Sequence, residues 1–385
     1  MNDPLVARMH PYAETIFATM SALALEHDAV NLGQGFPDTD GPAEVLDAAR
    51  EAISAGHNQY PPSTGIPELR SAVAEHQLRH HGITVDPADE VLVTSGASEA
   101  VAAALLGLVE RGDEVVVFEP SFDTYSAGIA FAGGVKRAVP LDFPDLGFDP
   151  ERLAAAFSER TKVVLLNTPH NPSGKVFTRE ELTVIAELAQ KHDAWVISDE
   201  VYEHLTYGVP HIPIASLPGM RERTLTIGSA GKFFSVTGWK VGWISGPPQL
   251  VRAARVIKLF TTFATAAPLQ HAVAAALRLG PAPLEDLATS LRGRRDLLVD
   301  GLTAAGLSVG PSEGTYYVVA DAAPLGVSDA HSWCLDLPAD AGVAAVPVSA
   351  FCDDPAGTAS LVRFAFCKQE HVLQEACRRL AAFTR

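Results

Sequence analysis

Lys232 is the residue of this chain whose surroundings best suit covalent chemistry. It follows a short apolar run, Leu225–Ile227, which predicts a buried strand, and a turn of small residues, Gly228–Gly231. Partial burial at the end of a strand would lower the pKa of the lysine amine and free its lone pair for attack on a carbonyl group. Taken alone, the segment is more simply interpreted as a solvated loop lysine.

Three other polar segments also follow apolar runs that predict strands. In Ser95–Ser98, small residues would let a phosphate approach the free amides of a helix N-terminus, although an ordinary helix cap has the same composition. Asn171 begins an Asn-Pro-Ser-Gly turn, and its amide could also donate to a phenolate or carboxylate oxygen. Asp199 could cap a following helix or, if buried, would require a cation such as a protonated ring nitrogen.

Tyr202, Phe122 and Arg363 complete the candidate set. Tyr202 would present its hydroxyl one helical turn beyond Asp199, and Phe122 would stack on a flat ring or pack in the core. Arg363, inside an apolar run, either binds a carboxylate in a bidentate contact or points outward from an edge strand. A lysine for a Schiff base, an acid for a pyridinium, donors for a phenolate and an anion cup together indicate pyridoxal phosphate chemistry.

The middle of the chain alternates short apolar runs with helical segments. This pattern is typical of strands covered on both faces and of right-handed crossovers. We therefore expect an α/β fold with a large domain built on a mostly parallel sheet flanked by helices, within which Thr178 and Glu181 have capping-box spacing. In the last third, a helix over Leu291–Leu302 and strands over Thr315–Val319 and Leu361–Phe366 predict a smaller α+β domain.

The expected position of the site follows from this sheet. Ligands of open α/β sheets bind beyond the carboxyl ends of the strands. Because the polar residues singled out above all follow predicted strands, we expect them to meet on one surface.

The composition of the chain limits which partners and which cellular compartment we expect. With 385 residues and 47% apolar residues, the chain can bury a core of more than one domain. A net charge of −17 argues against nucleic acid and anionic membranes as partners. The four cysteines have no CxxC spacing, and no signal peptide or membrane-spanning run is evident, so we expect a cytoplasmic protein.

Six motifs in a fixed order carry a resemblance to a known family. They are VNLGQGFPD (Val30–Asp38), NQYPPSTGIPELR (Asn58–Arg70), NTPHNPSGKVF (Asn167–Phe177), SDEVYEHL (Ser198–Leu205), SAGKFFSVTGWKVGW (Ser229–Trp243) and LVRFAFCK (Leu361–Lys368). The chain resembles the class I/II aminotransferases of the fold-type-I pyridoxal-phosphate enzymes. It is most similar to the kynurenine/glutamine aminotransferase-like group, including actinobacterial N-succinyldiaminopimelate aminotransferases.

The resemblance implies the fold and the roles of individual residues. It implies a large cofactor-binding domain over residues 45–275 and a small domain formed by 1–44 and 276–385. The catalytic residues would be Lys232, which carries the cofactor as a Schiff base and shuttles the proton, Asp199, which holds the pyridinium proton, and Tyr202, which contacts the ring oxygen. The other implied cofactor contacts are Gly96, Ala97, Ser98, Phe122, Asn171, Ser229 and Lys240. The implied substrate contacts are Gly35, Asn171 and Arg363 for the α-carboxylate, with Phe17 and Phe263 around the side chain.

The resemblance also implies a homodimer, because Tyr60 would reach the phosphate of the neighbouring subunit. Two positions depart from the family pattern. Lys240 stands where many relatives have arginine, so it would pair with phosphate as a point charge without the two-pronged guanidinium. Phe17 stands where some kynurenine-active relatives have tryptophan, which weakens a specific kynurenine assignment.

The expected reaction is a ping-pong transamination between an L-amino acid and a 2-oxo acid. The substrates would be N-succinyl-diaminopimelate with glutamate, which would place the enzyme in lysine biosynthesis, or a broad set of glutamine, methionine and aromatic amino acids. A pyridoxal-phosphate β-lyase acting on cysteine conjugates would use the same residues and stays an alternative. A non-catalytic aminotransferase-like sensing module is a remote one, since it would need a basic DNA-binding domain.

Two further patterns have plainer interpretations. Gly310–Gly314 matches GxSxG, but a serine nucleophile needs a strand–turn–helix, and a second strand is predicted to follow instead. His76, His80 and His81 have helical spacing that could suit a metal. Because no carboxylate or cysteine pattern accompanies them in the sequence, we interpret them as a solvated helix face and expect no metal site.

Overall fold

The computed structural model describes residues 3–384 of the chain. Residues 1, 2 and 385, which belong to the expected small domain, lie outside the described residues. The helices are α1 (Ile16–Glu26), α2 (Ala43–Ser54), α3 (Pro67–His81), α4 (Gly96–Leu108), α5 (Asp123–Ala132), α6 (Pro150–Ala155), α7 (Arg179–Lys191), α8 (Ala230–Phe233), α9 (Pro248–Thr261), α10 (Ala267–Leu277), α11 (Ala282–Ala304), α12 (Ala330–Ala341) and α13 (Glu370–Phe383). The strands are β1 (Val30–Asn31), β2 (Val91–Thr94), β3 (Glu114–Glu119), β4 (Val135–Pro140), β5 (Thr161–Asn167), β6 (Trp195–Asp199), β7 (Thr224–Ser229), β8 (Gly242–Ser245), β9 (Ser308–Val309), β10 (Tyr317–Asp321), β11 (Val343–Ala344), β12 (Val346–Pro347) and β13 (Leu361–Ala365).

A seven-stranded sheet forms the centre of the molecule. Its strand order is β2-β8-β7-β6-β5-β3-β4, and β8 alone runs antiparallel to both of its neighbours. The mostly parallel sheet predicted from the apolar runs is therefore confirmed. Every residue of β2, β3, β7 and β8 is buried, as expected for strands covered on both faces.

Helices cover this sheet and position its strand ends. Helix α4 begins two residues after β2 ends and packs along α9 and against β7 and β8. The predicted capping box at the start of α7 is present, since the Thr178 side chain accepts from the Glu181 amide and Glu181 accepts from the Thr178 amide. Among residues 3–384, no helix combines the length and apolar character needed to cross a bilayer.

A second, smaller sheet has the order β12-β13-β10-β9 and is antiparallel throughout. Helix α11 packs against α13 beside it, and β1 pairs with β11 in a separate two-stranded ribbon. The predicted strand Leu361–Phe366 is confirmed as β13. Because β13 lies between two strands, the edge-strand interpretation of Arg363 is wrong.

Three local expectations were wrong. Lys232 lies on the four-residue helix α8 rather than on a free turn, since Gly228 and Ser229 still belong to β7. Turns, not a helix, follow Asp199, so this residue caps no helix. The strand predicted from Thr315 begins at Tyr317, because Thr315 has a positive φ of 64°, which ends regular pairing.

The structure also tests the interpretations of the GxSxG match and of the α3 histidines. Gly310–Gly314 lies in the loop between β9 and β10, and Ser312 is buried and donates to the Tyr317 carbonyl oxygen, so it is no nucleophile on a strand–turn–helix. The solvated-face interpretation of the α3 histidines was wrong for His76, which is 1% exposed. It was also wrong for His81, whose ring is buried against a carboxylate, Glu203, that sequence spacing did not connect to it.

Candidate active site

A cavity of about 300 Å³ opens beyond the carboxyl ends of β2, β5, β6 and β7. All the predicted site residues line it except Tyr60, Phe263 and Arg363. The predicted residues that line it are Phe17, Gly35, Gly96, Ala97, Ser98, Phe122, Asn171, Asp199, Tyr202, Ser229, Lys232 and Lys240. The strand-end argument thus correctly places Gly96, Asn171, Asp199 and Lys232 on one surface, although Gly96 and Lys232 are 136 positions apart in the chain.

Lys232 enters this cavity from helix α8, directly after β7. Its Nζ donates to the Tyr316 hydroxyl at 3.3 Å and lies 5.6 Å from the centre of the Tyr202 ring. Burial lowers the pKa of the Lys232 amine below its usual value, because the charged form loses hydration. A larger fraction of the amine is therefore neutral, as a nucleophile or a proton acceptor requires.

Asp199 ends β6 at the floor of the cavity. Its carboxylate accepts hydrogen bonds from the Tyr125 hydroxyl, at 2.7 Å, and from the Val201 amide, at 3.3 Å. Burial raises the pKa of Asp199 to about 6, and hydrogen bonding by Tyr125 offsets part of that increase. Within residues 3–384 the carboxylate forms no ion pair, so a protonated ring nitrogen would supply a charge that the site otherwise lacks.

Asn171 is held by two neighbours that sequence reasoning treated separately. Its backbone amide donates to Asn167 Oδ1 at 2.7 Å, and the Asn167 Nδ2 in turn donates to the Asp199 carbonyl oxygen at 2.8 Å. Its own Oδ1 accepts from Arg363 Nη1 at 3.0 Å. The Asn171 Nδ2 group is therefore the end of the amide that can donate to an oxygen in the cavity.

Arg363 lies immediately behind the cavity wall and is 0% exposed. Its Nη2 donates to the Gly33 carbonyl oxygen at 2.6 Å, and its guanidinium lies 4.1 Å from the Tyr317 ring and 5.0 Å from the Phe17 ring. Its Nε has no hydrogen-bond partner in the described part of the chain. Within residues 3–384 this buried guanidinium is held by neutral oxygens and aromatic faces and forms no ion pair, so it is suited to an incoming carboxylate.

An anion cup lies at the start of α4, whose first residues line the cavity. The Ser95 side chain makes no capping hydrogen bond, so the first amides of the helix have no side-chain acceptor. Lys240 Nζ donates to Ser98 Oγ at 3.3 Å. A Cβ at Gly242 would lie 2.8 Å from the Gly96 carbonyl carbon, so this glycine lets β8 pass close behind the cup. Helix amides and an ammonium converging on one point suit a phosphate.

Tyr202 and Phe122 also line the cavity. Burial raises the pKa of Tyr202 well above its usual value, so its phenol stays protonated and can donate. The Phe122 ring meets the Tyr125 ring edge-on at 5.8 Å and faces the cavity from the start of α5. Both positions are compatible with a flat ring bound between them.

Tyr60 and Phe263 lie outside the cavity. Their side chains are 88% and 43% exposed, and their rings meet edge-on at 5.6 Å. The described chain therefore does not bring these two predicted residues into its own site.

Sequence reasoning missed Tyr125, Asn167, Tyr316 and Tyr317. Tyr125 lies three residues beyond Phe122, and Asn167 is the first residue of the Asn167–Phe177 motif, so each stands beside a predicted site residue in the sequence. Tyr316 donates to the Gly35 carbonyl oxygen at 2.6 Å, and the adjacent Tyr317 stacks on Arg363. The only sequence signal for these two residues was that two tyrosines stand together at the start of an apolar run. That run was interpreted as a strand, and the tyrosines were given no role in the site.

Taken together, the donor set fits pyridoxal phosphate. Asp199 is a buried carboxylate without an ion-pair partner in residues 3–384, Lys232 supplies an amine of lowered pKa, and the cup at α4 supplies amides and a cation. These features line a single cavity and supply partners of the kind that the nitrogen, aldehyde and phosphate groups of that cofactor require.

Comparison with known proteins gives an independent result. The family model described as aminotransferase class I and II matches residues 27–380. The chain is 50% identical to a probable N-succinyldiaminopimelate aminotransferase of Mycobacterium tuberculosis, over 98% of both chains. It is 39% identical to a methionine aminotransferase of Escherichia coli, over 98% of this chain and 99% of that one.

Solved structures agree with these relatives. The structure of N-succinyldiaminopimelate aminotransferase from Mycobacterium tuberculosis superposes with a TM-score of 0.97 at 49% identity, covering 98% of this chain and all of that one. An Escherichia coli structure, reported with a methionine aminotransferase function, gives a TM-score of 0.94 at 39% identity, with 98% and 100% coverage.

Proposed function

Because the chain belongs to the class I and II aminotransferases and is a pyridoxal-phosphate-dependent aminotransferase of the fold-type-I architecture, we propose that the cavity around Lys232 is its active site. The enzyme moves an amino group between an amino acid and a 2-oxo acid. The observation that carries the assignment of residues is the placement of Lys232, Asp199 and the α4 cup around one cavity. The domain division at 45–275, with 1–44 and 276–385 as the small domain, is part of the same proposal.

When bound, the cofactor supplies an aldehyde that takes up the amino group and a protonated pyridine ring that withdraws electrons from the substrate α-carbon. In the proposed site, Asp199 would hold the proton on the ring nitrogen through a charge-assisted hydrogen bond. Tyr125 and the Val201 amide orient its carboxylate from the other side. Tyr202 and Asn171 would donate to the ring oxygen, and Phe122 would cover a ring face. The phosphate would be held at the cup by Gly96, Ala97, Ser98, Ser229 and Lys240.

Lys232 has two proposed tasks. Its amine would anchor the cofactor in the absence of substrate, and the free Nζ would move a proton from the substrate α-carbon to the aldehyde carbon of the cofactor. Both tasks require the neutral amine, which burial favours. The Tyr316 hydroxyl, 3.3 Å from Nζ, accepts a hydrogen bond from the amine and keeps it directed into the cavity.

Arg363 is proposed to bind the substrate α-carboxylate. Its guanidinium already faces Asn171, whose Oδ1 it contacts at 3.0 Å, and the Phe17 ring on the cavity wall. A carboxylate that replaced the neutral oxygen of Asn171 would form a charge-assisted pair in a dry environment, which is stronger than the bond it replaces. The Gly35 backbone, fixed by the Tyr316 hydroxyl, borders the same position.

We also propose a homodimer in which each chain completes the other's site. Tyr60 is a large aromatic residue that is 88% exposed, and it contacts Phe263, another exposed aromatic residue. Exposed aromatic pairs of this kind are typical of interfaces. In the proposed dimer, the Tyr60 hydroxyl donates to the phosphate of the neighbouring site and Phe263 lines its substrate pocket. A cytoplasmic location belongs to the proposal as well, since the four cysteines are free, as is usual in a reducing compartment.

For the substrates, we propose N-succinyl-diaminopimelate and glutamate, which would place the enzyme in lysine biosynthesis. The support is the 50% identity to the Mycobacterium tuberculosis relative over nearly all of both chains. A second candidate is a methionine or aromatic amino acid, because Phe17, Phe36 and Tyr317 make one side of the cavity aromatic. Lys232 and Lys240 are the only cationic residues among those that line the described cavity, so the distal carboxylates of the first candidate need cations from the partner subunit.

A half-reaction screen tests this proposal. The cofactor-loaded enzyme is mixed with glutamate, methionine, kynurenine or N-succinyl-diaminopimelate, and the loss of the cofactor's visible absorbance is followed alongside release of the 2-oxo acid. Glutamate and N-succinyl-diaminopimelate should each convert the cofactor in stoichiometric amounts. Conversion by methionine and kynurenine alone would select the second candidate, and conversion by none of the four would refute both.

A further inference from the structure

A cluster of imidazoles and a carboxylate lies beneath the active site, between the end of α3 and the turn that follows β6. His76 Nε2 lies 3.1 Å from His204 Nε2 and 3.2 Å from Glu203 Oε1, and His204 Nε2 lies 4.0 Å from the same Oε1. His81 Nε2 lies 2.5 Å from the second oxygen, Oε2. None of these residues lines the cavity around Lys232.

The separations in this cluster match those of ligands around a metal ion. Zinc binds imidazole nitrogen and carboxylate oxygen at about 2.0–2.2 Å in tetrahedral geometry, which places neighbouring ligand atoms roughly 3.3 Å apart. Two of the three separations among His76 Nε2, His204 Nε2 and Glu203 Oε1 are within 0.2 Å of that value, and the third is wider. Three ligand atoms at these separations can surround one ion with little movement of their side chains.

A fourth ligand is at hand on the same helix. His80 lies one turn beyond His76, and ligand atoms of His76, His80 and His204 all lie within 4.8 Å of one another. The His80 ring is exposed while His76 and Glu203 are buried, so an ion could enter from solvent through His80.

The cluster also has the outer contacts that a metal site needs. The remaining oxygen of Glu203 is held by His81, and His81 in turn lies 5.7 Å from the His211 ring, which contacts Glu200. Carboxylate ligands in metal sites are usually fixed by such hydrogen bonds. Glu203 is thus oriented with one oxygen towards His76 and His204 and the other towards His81.

We propose that His76, His80, Glu203 and His204 form a binding site for one divalent transition-metal ion of the zinc type, with His81 orienting Glu203. Mixed imidazole and carboxylate ligands suit Zn²⁺ far better than Mg²⁺ or Ca²⁺, which require oxygen ligands. A closed set of four protein ligands would make the site structural rather than catalytic.

The position of the cluster gives the ion a structural effect on the active site. Glu203 and His204 directly follow Tyr202, and His204 packs 5.0 Å from the ring of Phe233, the residue after Lys232. His76 stacks parallel to the same Phe233 ring at 6.0 Å. An ion held here would cross-link α3 to the turn carrying Tyr202 and support the short helix carrying Lys232.

Zinc titration of the cofactor-loaded enzyme tests the proposal. After removal of bound metals with a chelator and exhaustive dialysis, the enzyme is titrated with zinc chloride by calorimetry, and bound zinc is counted by mass spectrometry. We expect about one zinc per chain in the wild type, and at least a tenfold loss of affinity in His204→Asn and in Glu203→Gln. The matched control is His271→Asn, because His271 pairs with His57 at 3.9 Å without the carboxylate of this cluster and should bind zinc as the wild type does.

Two further readouts separate a metal site from a folding defect. Cofactor absorbance and the melting temperature of each variant without zinc show whether it is folded and loaded. In the wild type, Co²⁺ should produce an intense visible band of four-coordinate cobalt that zinc abolishes, and zinc should slow amide exchange in α3 and in residues 200–205. Wild-type enzyme that binds no zinc at a hundred micromolar, or folded His204→Asn and Glu203→Gln variants that bind it unchanged, would overturn the proposal.

Discussion

The Tyr125 hydroxyl donates a hydrogen bond of 2.7 Å to Oδ2 of Asp199, the buried carboxylate at the end of β6. This bond opposes the increase that burial causes in the Asp199 pKa. Because Asp199 must be ionised to hold a proton on the cofactor ring, Tyr125 is a positioning and tuning residue for the proposed reaction. It reaches Asp199 from helix α5, 74 residues earlier in the chain.

Removal of this hydroxyl should move the acidic limb of the pH profile. Tyr125→Phe takes away a donor that favours the ionised carboxylate, so the folded-state pKa of Asp199 rises. Activity lost on acidification should then be lost at a higher pH, by about one unit, with kcat at neutral pH reduced roughly tenfold. The measurement is kcat and kcat/KM against pH. Tyr207→Phe is the control, since Tyr207 is equally buried but donates to the Thr315 carbonyl oxygen away from Asp199.

The ionised carboxylate of Asp199 should lower the free energy of unfolding of the cofactor-free enzyme at neutral pH. Its folded pKa, about 6, lies above its ordinary 3.8, so the folded state binds the proton more tightly than the unfolded state does. The stability that Asp199 contributes is therefore fully present below pH 3.8 and is lost as the pH rises to 6. The free energy of unfolding falls by about 3 kcal/mol at most. Asp199→Asn should raise the free energy of unfolding at pH 7, and the gain should shrink near pH 4.

That prediction separates stability from function. Urea titrations of both cofactor-free proteins at pH 7 and pH 4.5 measure the difference, and transamination assays should find Asp199→Asn almost inactive. An Asp199→Asn protein that is less stable than the wild type at pH 7 would contradict the burial argument. Full activity of the same variant would contradict the role at the ring nitrogen.

Loss of the Arg363 side chain should weaken substrate binding. Arg363→Ala removes a desolvated partner of the substrate carboxylate, which costs about 2–5 kcal/mol of transition-state binding and should appear in kcat/KM for every amino acid and oxo acid tested. Arg295→Ala is the matched control, because Arg295 also stacks on a tyrosine, Tyr207, but lies away from the cavity. Equal kinetic effects of the two substitutions would refute the assignment to Arg363.

Mixed dimers test whether Tyr60 acts across the interface. In a heterodimer of Lys232→Ala and Tyr60→Ala chains, one site combines an intact Lys232 with the partner's intact Tyr60. Random pairing should therefore restore roughly a quarter of wild-type activity from two weakly active or inactive parents. No recovery, in a mixture shown by native mass spectrometry to contain heterodimers, would place Tyr60 in its own chain's site or outside any site.

The sequence predicted the parts of the site that depend on strand ends. Asn171, Asp199 and Lys232 each follow an apolar run, and runs of this kind are buried strands whose carboxyl ends meet at one edge. The alternation of short apolar runs with helical segments therefore predicted the mostly parallel sheet correctly. The antiparallel direction of β8 could not be read, because an apolar run has the same composition in either direction.

Other features depend on contacts that no local pattern encodes. His76 and Glu203 are 127 residues apart, so their approach became visible only once α3 was packed against the turn after β6. The same holds for Tyr316, which reaches Gly35 across 281 residues. Tyr60 and Phe263 represent a third case, since their proposed role requires a second chain and no single-chain pattern can supply it.

Covalent attachment of the cofactor at Lys232 is the most direct test of the proposed active site. The wild-type enzyme, loaded with pyridoxal phosphate and reduced with borohydride, is digested and its peptides are sequenced by mass spectrometry. We predict that the phosphopyridoxyl group lies on Lys232, and that Lys232→Ala binds the cofactor without fixing it and loses at least about a hundredfold in turnover. Attachment at another lysine, or normal turnover by Lys232→Ala, would contradict the proposed site.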